Sequence, residues 1–491
     1  MALIERVLPA QPVTDLSDHV ERFQGSRALE AATKLEAAAL LDELDAAGLR
    51  GRGGAGFPTG RKWRTVLDNR SDMIGTTVVV NGAEGEPGTF KDRAILRANP
   101  YQVIEGALVA AKVVGADTVV FALKATFDEE LARLRRALAE ATEAGWCDGI
   151  QVEVFEGPGE YLYGEETALL EAIAGRAPLP RIAPPYRRGV DEVVEDPDEL
   201  ASESGLAAGV DMASEGAGNV VPPTLVDNVE TLANIPHLLV RGSEWFRSAG
   251  TAESPGTIVC TITGRVERSG VAEIALGTTL REAIDEIGGG AREGRQIRAV
   301  LPGVSNALLP AEALDTPLTY EAMAAAGSGL GSAGYIVLDD TDDLVAVAAG
   351  ASRFLAVESC GQCTPCKQDG LEMAEVLGRV AASEADEHDI ERLLAAAGRV
   401  TDGARCNLAA QQQAVVLSAT RLARSEMAGH LDGSRPAADR FVVAELVALG
   451  EDGSTTIDLR HADKQPDWTY DEVDSGQAPA DRLTEHRDAE V

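Results

Sequence analysis

Lysine is nearly missing from this chain. Only seven of the 491 residues are lysine, so arginine carries most of the 44 basic charges, against 80 aspartates and glutamates. The resulting net charge of −36 repels nucleic acid and anionic membranes, which argues against both as direct binding partners. This balance is typical of a salt-adapted, halophile-like surface; an acidic subunit encoded by a GC-rich genome is the alternative.

Long apolar runs are missing as well. No run reaches the length that spans a membrane, and no secretory signal pattern opens the sequence. The 45% of hydrophobic residues suffices for buried cores, and the length predicts about two to four domains. Clustered cysteines without a secretory signal indicate a metal site in the reducing cytoplasm rather than disulfides, so we expect a cytoplasmic protein.

Four of the six cysteines form a metal-ligand pattern. Cys360, Cys363 and Cys366 have C-x2-C-x2-C spacing, and Cys406 follows forty residues later. Three thiolates from one loop and a fourth from a distant segment are the common way of holding an iron–sulfur cluster. Zinc is the alternative, but zinc ribbons usually pair two C-x2-C motifs. The pattern favours a [4Fe–4S] cluster, and a cluster implies electron transfer.

Strand and helix patterns alternate in the first half of the chain, which predicts an α/β domain. A unit of short strands follows, then a mostly helical segment that carries the cysteines. We predict an N-terminal arm over 1–27, the α/β domain over 28–250 with an acidic insertion at 187–220, the short-stranded domain over 251–340, the helical domain over 341–430 and an extension of unknown role over 431–491.

A glycine-rich loop, Gly51–Gly56, directly follows a helical pattern. It contains G-x-G-x-x-G, but a helix precedes it where the dinucleotide fingerprint needs a strand, and no G-K-[ST] completes a P-loop. The glycine amides can still approach a ligand closely, and the cations Arg52, Arg61 and Lys62 suit phosphates. A surface loop without a ligand is the alternative.

Two acidic segments are further candidates for ligand contacts. The loop that begins at Asn81 follows a β-branched run and offers Glu84 and Glu86 as acceptors, which suits flavin and nicotinamide edges. An acidic turn in an acidic protein is an equally good interpretation. Glu165 and Glu166 begin a helix, where simple capping would also explain two carboxylates.

Together these motifs resemble a known family. The block 48–63 is similar to the signature of the NADH-binding flavoprotein subunit of respiratory complex I, a family that includes the diaphorase subunits of NAD-linked hydrogenases and formate dehydrogenases. Blocks 86–93, 164–166, 227–231 and 358–366 match in the family's order, and 257–338 looks like its ubiquitin-like β-grasp domain. The resemblance covers about residues 28 to 425.

The resemblance implies a Rossmann-like FMN/NADH domain, then a β-grasp domain, then a C-terminal helical bundle carrying a [4Fe–4S] cluster. Carried over by position, FMN would contact Gly51, Gly53, Gly54, Lys62, Asn81, Glu84, Asp227, Asn228 and Thr231, with Arg52 in the same loop. Phe57 would stack on the NADH adenine, with Tyr186 nearby. Glu86 and Glu166, beside Gly164 and Glu165, would hold the nicotinamide and ribose end as the catalytic pair. Cys360, Cys363, Cys366 and Cys406 would ligate the cluster.

The implied activity is hydride transfer from NADH to FMN, followed by one-electron transfer to the cluster and on to partner subunits. The partners implied are a thioredoxin-like [2Fe–2S] subunit and a larger iron–sulfur or dehydrogenase subunit, through which alone the chain would reach a membrane. Ala83, Ala183 and Thr65 depart from the family pattern around the nucleotide. These departures leave NADPH as a possible donor. They also leave a second function open, in which the chain is an electron-relay or structural subunit with an altered nucleotide site in a hydrogenase or formate dehydrogenase complex. A zinc-stabilised binding module is the third alternative.

Overall fold

The computed structural model describes residues 3–70, 75–181 and 224–488. Tyr186, Ala183 and the predicted insertion at 187–220 lie outside these ranges.

Helices and strands alternate in the first part of the described chain. In order they are α1 (Leu16–Phe23), α2 (Arg27–Lys34), α3 (Ala37–Ala47), α4 (Thr59–Asp68), β1 (Thr77–Gly82), α5 (Lys91–Ala98), α6 (Pro100–Val114), β2 (Thr118–Lys124), α7 (Asp128–Glu143), β3 (Gln151–Gly157), a 3-10 turn (Tyr161–Gly164), α8 (Glu166–Ile173), β4 (Thr224–Asn228), α9 (Val229–Arg241) and α10 (Ser243–Arg247).

Strands β1 to β4 form a parallel sheet in the order β3-β2-β1-β4. The chain moves outward from β1 on one side to β2 and β3, and returns on the other side as β4. Ligands of open α/β sheets bind at such a reversal, outside the carboxyl ends of the strands. The register pairs Val80 with Asp227 and Asn81 with Asn228, so the candidate residues of β1 and β4 meet there. The sequence pattern over 227–240 predicts a helix that begins at Asp227, but in the structure Asp227 and Asn228 end strand β4 and Asn228 caps helix α9.

The buried position of helix α6 accounts for its apolar sequence. Fourteen of its fifteen residues are buried, with Lys112 the exception, so it packs between other elements and shows no polar face. It lies against α9 at Gly106, where a Cβ atom would come within 2.0 Å of the Leu232 carbonyl oxygen. This close approach holds α9, and with it the end of β4, near the centre of the domain.

A second sheet follows, with strands β5 (Thr257–Gly264), β6 (Gly270–Ala275), β7 (Ile297–Leu301), β8 (Leu309–Pro310) and β9 (Gly334–Asp339), and helices α11 (Leu280–Gly288) and α12 (Tyr320–Ala325). The order is β6-β5-β9-β7-β8, with β5 parallel to β9 and antiparallel to β6. A capping box of Thr279 and Glu282 starts α11.

The cysteine-bearing part is helical, as predicted. Its helices are α13 (Leu344–Glu358), α14 (Thr364–Ala381), α15 (Glu387–Arg399), α16 (Leu408–Leu422) and α17 (Arg424–Leu431). The predicted fold class, a parallel α/β domain followed by a small β domain and a helical region, is confirmed. In the described ranges we find no helix that is both long and apolar enough to cross a membrane.

Both ends of the described chain are more structured than predicted. The segment 1–27, expected to be irregular, contains α1 and buries Val7 and Val13. It is held because the carboxylate of buried Glu273 accepts hydrogen bonds from the backbone of Arg6, Val7 and Leu8. The extension contains β10 (Leu446–Leu449), β11 (Thr455–Ile457), a 3-10 turn (Leu459–Ala462) and α18 (Pro479–Asp488).

Candidate functional site

All four predicted cluster cysteines line one small pocket. Cys360 and Cys363 come from the loop between α13 and α14, Cys366 lies in the first turn of α14, and Cys406 lies just before α16. Leu162 and Pro180 of the α/β domain close the pocket. The packing of α14 against α16 therefore brings the remote cysteine to the other three.

The donor set of this pocket is a set of thiols alone. Within the described ranges no three His, Cys, Asp or Glu side chains are placed to hold a single metal ion. Four thiols around one pocket suit the larger iron–sulfur cluster, which needs four cysteine ligands. Burial raises the pKa of Cys366 to about 11 and also raises the pKa of Cys360. The positive charge of bound iron would reverse this effect and favour thiolates.

The glycine loop lies against the carboxyl end of β4. The Gly51 N–H donates to the Phe57 carbonyl at 2.8 Å, and the Arg52 N–H donates to Thr231 Oγ1 at 2.8 Å. At Gly53 a Cβ atom would come within 3.3 Å of the Asn228 side chain. A backbone without side chains here keeps open the space above the strand end, which is what a closely bound phosphate or flavin requires.

Arg52 itself contacts the protein, which differs from its predicted role as a phosphate cation. Its fully buried guanidinium donates to the carbonyls of Arg50 and Thr257 and to Tyr320 Oη. The side chain thus joins the glycine loop to the second sheet, and only its backbone faces Thr231. Phe57, predicted to stack on adenine, is partly exposed, and the Arg61 guanidinium lies 5.7 Å from its ring centroid.

Lys62 and Glu166 meet at the same edge of the sheet. Lys62 Nζ lies 3.2 Å from Glu166 Oε2 and donates to the Val226 carbonyl at 2.6 Å. Glu166 Oε1 is buried without a hydrogen-bond partner among protein groups. An orphaned acceptor beside a buried cation fits a ligand with both hydrogen-bond donors and a phosphate, as FMN and NADH have.

The pKa of Glu166 makes a pH-dependent prediction. Burial raises the pKa of this carboxyl to about 7, against the opposing effect of Lys62. The folded state therefore holds a proton between about pH 4.3 and 7 that the unfolded state has lost, so ionisation of Glu166 destabilises the fold as pH rises through this window. In FMN-free protein we expect Glu166→Gln to gain stability over wild type across that range, by about 1.4 kcal/mol per unit of pKa shift.

Urea unfolding at a series of pH values measures this difference. Glu391→Gln is the matched control, because the Glu391 side chain is 81% exposed. Parallel stability curves for wild type and Glu166→Gln would contradict the prediction.

The loops around Asn81 and Gly164 contact each other directly. Asn81 Nδ2 donates to the Gly164 carbonyl at 3.0 Å, and Asn81 Oδ1 accepts from the Ala83 N–H. Glu165 caps α8 by accepting from the backbone N–H groups of Thr167 and Ala168, so the capping interpretation describes its contacts. Glu166, the next residue, is the one whose carboxylate lies at the site.

A buried charged cluster that the sequence reasoning missed lies below the glycine loop. Lys91 Nζ lies 2.7 Å from Asp92 Oδ1 and 3.1 Å from Glu230 Oε2, and donates to Asn228 Oδ1. Although burial lowers the pKa of Lys91, Asp92 and Glu230 raise it above its usual range. Asp227 on the neighbouring position accepts from Trp63 Nε1 at 2.5 Å. The signal in the sequence was the run 91–93 of three charged residues after a buried strand.

Glu84 is bound to protein groups, which limits its predicted role as a flavin acceptor. Its carboxylate lies 2.8 Å from Arg93 Nε and accepts from the Asp92 N–H at 3.0 Å. Desolvation would raise the pKa of Glu84, but Arg93 and Lys91 together hold it below its usual value. The residue is an ionised partner of Arg93 at the base of the loop.

Glu86 links the α/β domain to the second sheet. Its Oε1 accepts from the backbone N–H groups of Val304 and Ser305 at 2.6 and 2.9 Å, and its Oε2 accepts from Tyr161 Oη at 2.5 Å. Burial raises the pKa of this carboxyl. Tyr161 was not among the predicted residues; it is next to Leu162, which lines the cysteine pocket. The turn Tyr161–Gly164 therefore lies between the two sites.

Three family models match the chain, and all agree with this geometry. The Nuo51 FMN-binding domain matches residues 44–237, the SLBB domain matches 259–327, and the NADH-ubiquinone oxidoreductase-F iron-sulfur binding region matches 346–430. The predicted cofactors FMN and an iron–sulfur cluster are confirmed by these matches.

Similar proteins include subunits of NADH-quinone oxidoreductases and of hydrogenases. An NADH-quinone oxidoreductase subunit of Rhizobium meliloti is 36% identical over 397 residues, covering 79% of this chain and 87% of the relative. NADP-reducing hydrogenase subunit HndC of Solidesulfovibrio fructosivorans is 32% identical, covering 84% and 80%. A crystal structure of an NAD+-reducing [NiFe]-hydrogenase matches with a TM-score of 0.71 at 30% identity, covering 86% of this chain and 67% of that one. The chain therefore belongs to the NADH-quinone oxidoreductase-F family, which includes these hydrogenase relatives.

Proposed function

We propose that this chain is the NADH dehydrogenase (diaphorase) subunit of a multi-subunit redox complex. The observation that carries the proposal is the turn Tyr161–Gly164, which contacts the candidate nucleotide site through Tyr161 and Gly164 and lines the four-cysteine pocket through Leu162. When bound, FMN accepts a hydride from NADH and releases single electrons, which an iron–sulfur cluster can accept. Proximity of the two sites is what such a relay requires.

The chain's own residues supply binding and orientation. The backbone of Gly51, Gly53 and Gly54 would lie against the cofactor, and Lys62 would neutralise phosphate charge. Asn81, Asp227, Asn228 and Thr231 lie around the same strand ends, where the sheet order reverses. These groups are set by buried hydrogen bonds before any ligand arrives, and such preorganisation lowers the cost of orienting the reactants.

The two predicted catalytic carboxylates differ in their free acceptors. Glu166 has a buried oxygen without a protein partner, so it can accept a hydrogen bond from the nucleotide. Both oxygens of Glu86 already accept from protein donors, so Glu86 offers a nucleotide less free acceptor capacity than Glu166 does. We propose that Glu166 accepts a hydrogen bond directly from the nucleotide and that Glu86 lines the site.

The rest of the assignment rests on the family. We propose the FMN/NADH domain at 28–250, the β-grasp domain at 251–340 and the cluster domain at 341–430. The partners would be a thioredoxin-like [2Fe–2S] subunit and a larger iron–sulfur or dehydrogenase subunit, in a complex I or hydrogenase type of assembly on the cytoplasmic side of a membrane. The acidic composition leads us to expect best activity in high salt.

An anaerobic NADH titration of the purified protein in high salt tests the proposal. We expect the flavin absorbance to bleach and an EPR signal of the reduced cluster to appear. A cluster that dithionite reduces but NADH does not would overturn the proposal in favour of a relay subunit with an altered nucleotide site. NADPH in a parallel titration decides which nucleotide the site prefers.

A further inference from the structure

The C-terminal extension contacts the loops that carry the candidate nucleotide site. None of the matched family models extends beyond residue 430, so the extension is not part of the matched family domains. We propose that His461 and Lys464 of this extension are positioning residues for the nucleotide site, acting through Glu358 on the turn Tyr161–Gly164. The inference rests on the proposed function and adds residues to the same site.

The first step of the argument is the environment of Glu358. This carboxylate ends α13 and is 2% exposed. Lys464 Nζ lies 2.7 Å and His461 Nε2 lies 2.9 Å from its Oε1. Both partners come from the extension and both are buried, at 5% and 7% exposure. Removing one member of such a buried group leaves a charge without its partner, which is costly.

The second step leads from Glu358 to the turn. The other oxygen of Glu358 accepts from the Tyr161 backbone N–H at 3.1 Å. Phe354, one helical turn before Glu358, stacks on His461 with 4.5 Å between ring centroids and meets Tyr161 edge to face at 5.3 Å. The backbone and the ring of Tyr161 are therefore both supported by groups that the extension holds.

The third step leads from Tyr161 to the nucleotide side. Its hydroxyl donates to Glu86 at 2.5 Å and lies 3.4 Å from Gln411 Oε1 on α16. A displacement of the turn would break the Glu86 contact and shift the Gly164 carbonyl, which accepts from Asn81. The chain of contacts from Lys464 to Glu86 is continuous and consists of hydrogen bonds and packed rings.

A second contact of the extension reaches the other loop of the site. Glu445 lies 2.6 Å from Lys124 Nζ at the end of β2, and the Leu446 carbonyl accepts from the Arg93 guanidinium. Arg93 is the ion-pair partner of Glu84. The extension thus supports the Glu84 loop and the Tyr161 turn at the same time, which a passive surface tail would not do.

The test uses the full chain with its cofactors and the variant Lys464→Met. Hydrogen–deuterium exchange of the peptide around Tyr161 measures positioning directly, because the Tyr161 N–H is the donor to Glu358. We expect exchange there to rise, and the KM for NADH to rise about tenfold with kcat little changed, as for loss of a charge-assisted hydrogen bond. The EPR signal of the dithionite-reduced cluster should persist.

Three further variants keep the test decisive. Lys464→Arg should restore both readouts, because it keeps the cation. His461→Phe keeps the stacking on Phe354 and loses the contact with Glu358, so it should change the same readouts even if Lys464→Met does not fold. Arg460→Ala is the control, since Arg460 is exposed and its only described side-chain partner is Asp458.

The outcomes separate the two proposals. Unchanged exchange and KM in Lys464→Met and His461→Phe would overturn the positioning role. A wild-type protein that NADH does not reduce would overturn the proposed function, while the exchange of the Tyr161 peptide would still report whether the extension positions the turn.

Discussion

Cys406→Ala is expected to remove the iron–sulfur cluster while flavin reduction by NADH continues. The cluster needs a fourth thiolate to complete its coordination, and Cys406 is the only cysteine of the pocket outside the segment 360–366. Electrons would then have no route onward from the flavin. We expect electron transfer to a partner protein to fall at least about 100-fold, because this transfer needs the cluster as an intermediate redox centre.

Iron analysis, EPR of the dithionite-reduced protein and stopped-flow flavin reduction together measure this result. Cys147→Ala is the matched control, because Cys147 is also a free thiol but lies far along the chain from the pocket, after α7. An unchanged EPR spectrum in Cys406→Ala would mean that the cluster takes its fourth ligand elsewhere, and the ligand assignment would have to be withdrawn.

Lys62→Met is expected to lose FMN. The lysine is 7% exposed and its ammonium contacts only Glu166 and the Val226 carbonyl among its described partners. A buried cation at a glycine-rich loop is suited to phosphate, and a charge-assisted hydrogen bond contributes about 1.5–3 kcal/mol. We therefore expect FMN affinity to fall about 10- to 100-fold, measured by flavin fluorescence on reconstitution.

Two controls distinguish lost binding from lost stability. Lys112→Met removes an exposed lysine from α6 and should bind FMN as wild type does. The double variant Lys62→Met with Glu166→Gln removes the uncompensated buried carboxylate, so it should recover stability without recovering FMN affinity. Wild-type FMN affinity in Lys62→Met would show that this cation does not hold the phosphate.

Local spacing was sufficient where the chemistry depends on one segment. Cys360, Cys363 and Cys366 share one loop and the first turn of the helix that follows it, so their convergence follows from spacing alone. The alternation of strands and helices in the first half of the chain also follows from short-range patterns, and the structure has this alternation. The β4 strand was missed, because only five residues form it and they run directly into α9.

Local spacing did not predict the partners of the charged residues. Glu84 and Arg52 look like ligand contacts in the sequence, but the fold pairs the first with Arg93 and buries the second against the second sheet. The residues next to a carboxylate or guanidinium in the sequence do not indicate its ion-pair partner, since the partner can come from any segment that packs nearby. Tyr161 was not predicted for the same reason. Its hydroxyl donates to Glu86 only because the fold places the turn Tyr161–Gly164 next to Glu86.

The sequence by itself determined the chemistry of this protein: a four-thiol cluster set, a glycine loop with cations, and an acidic composition. These depend on which residues are present and how closely they follow one another. Only the tertiary structure decided that the ends of β1 and β4 are neighbours, that Glu166 keeps a free acceptor while Glu84 does not, and that the extension reaches Glu358. Strand order, burial and ion pairing arise from contacts between distant segments, because a buried polar group must find its partner wherever the packing places one.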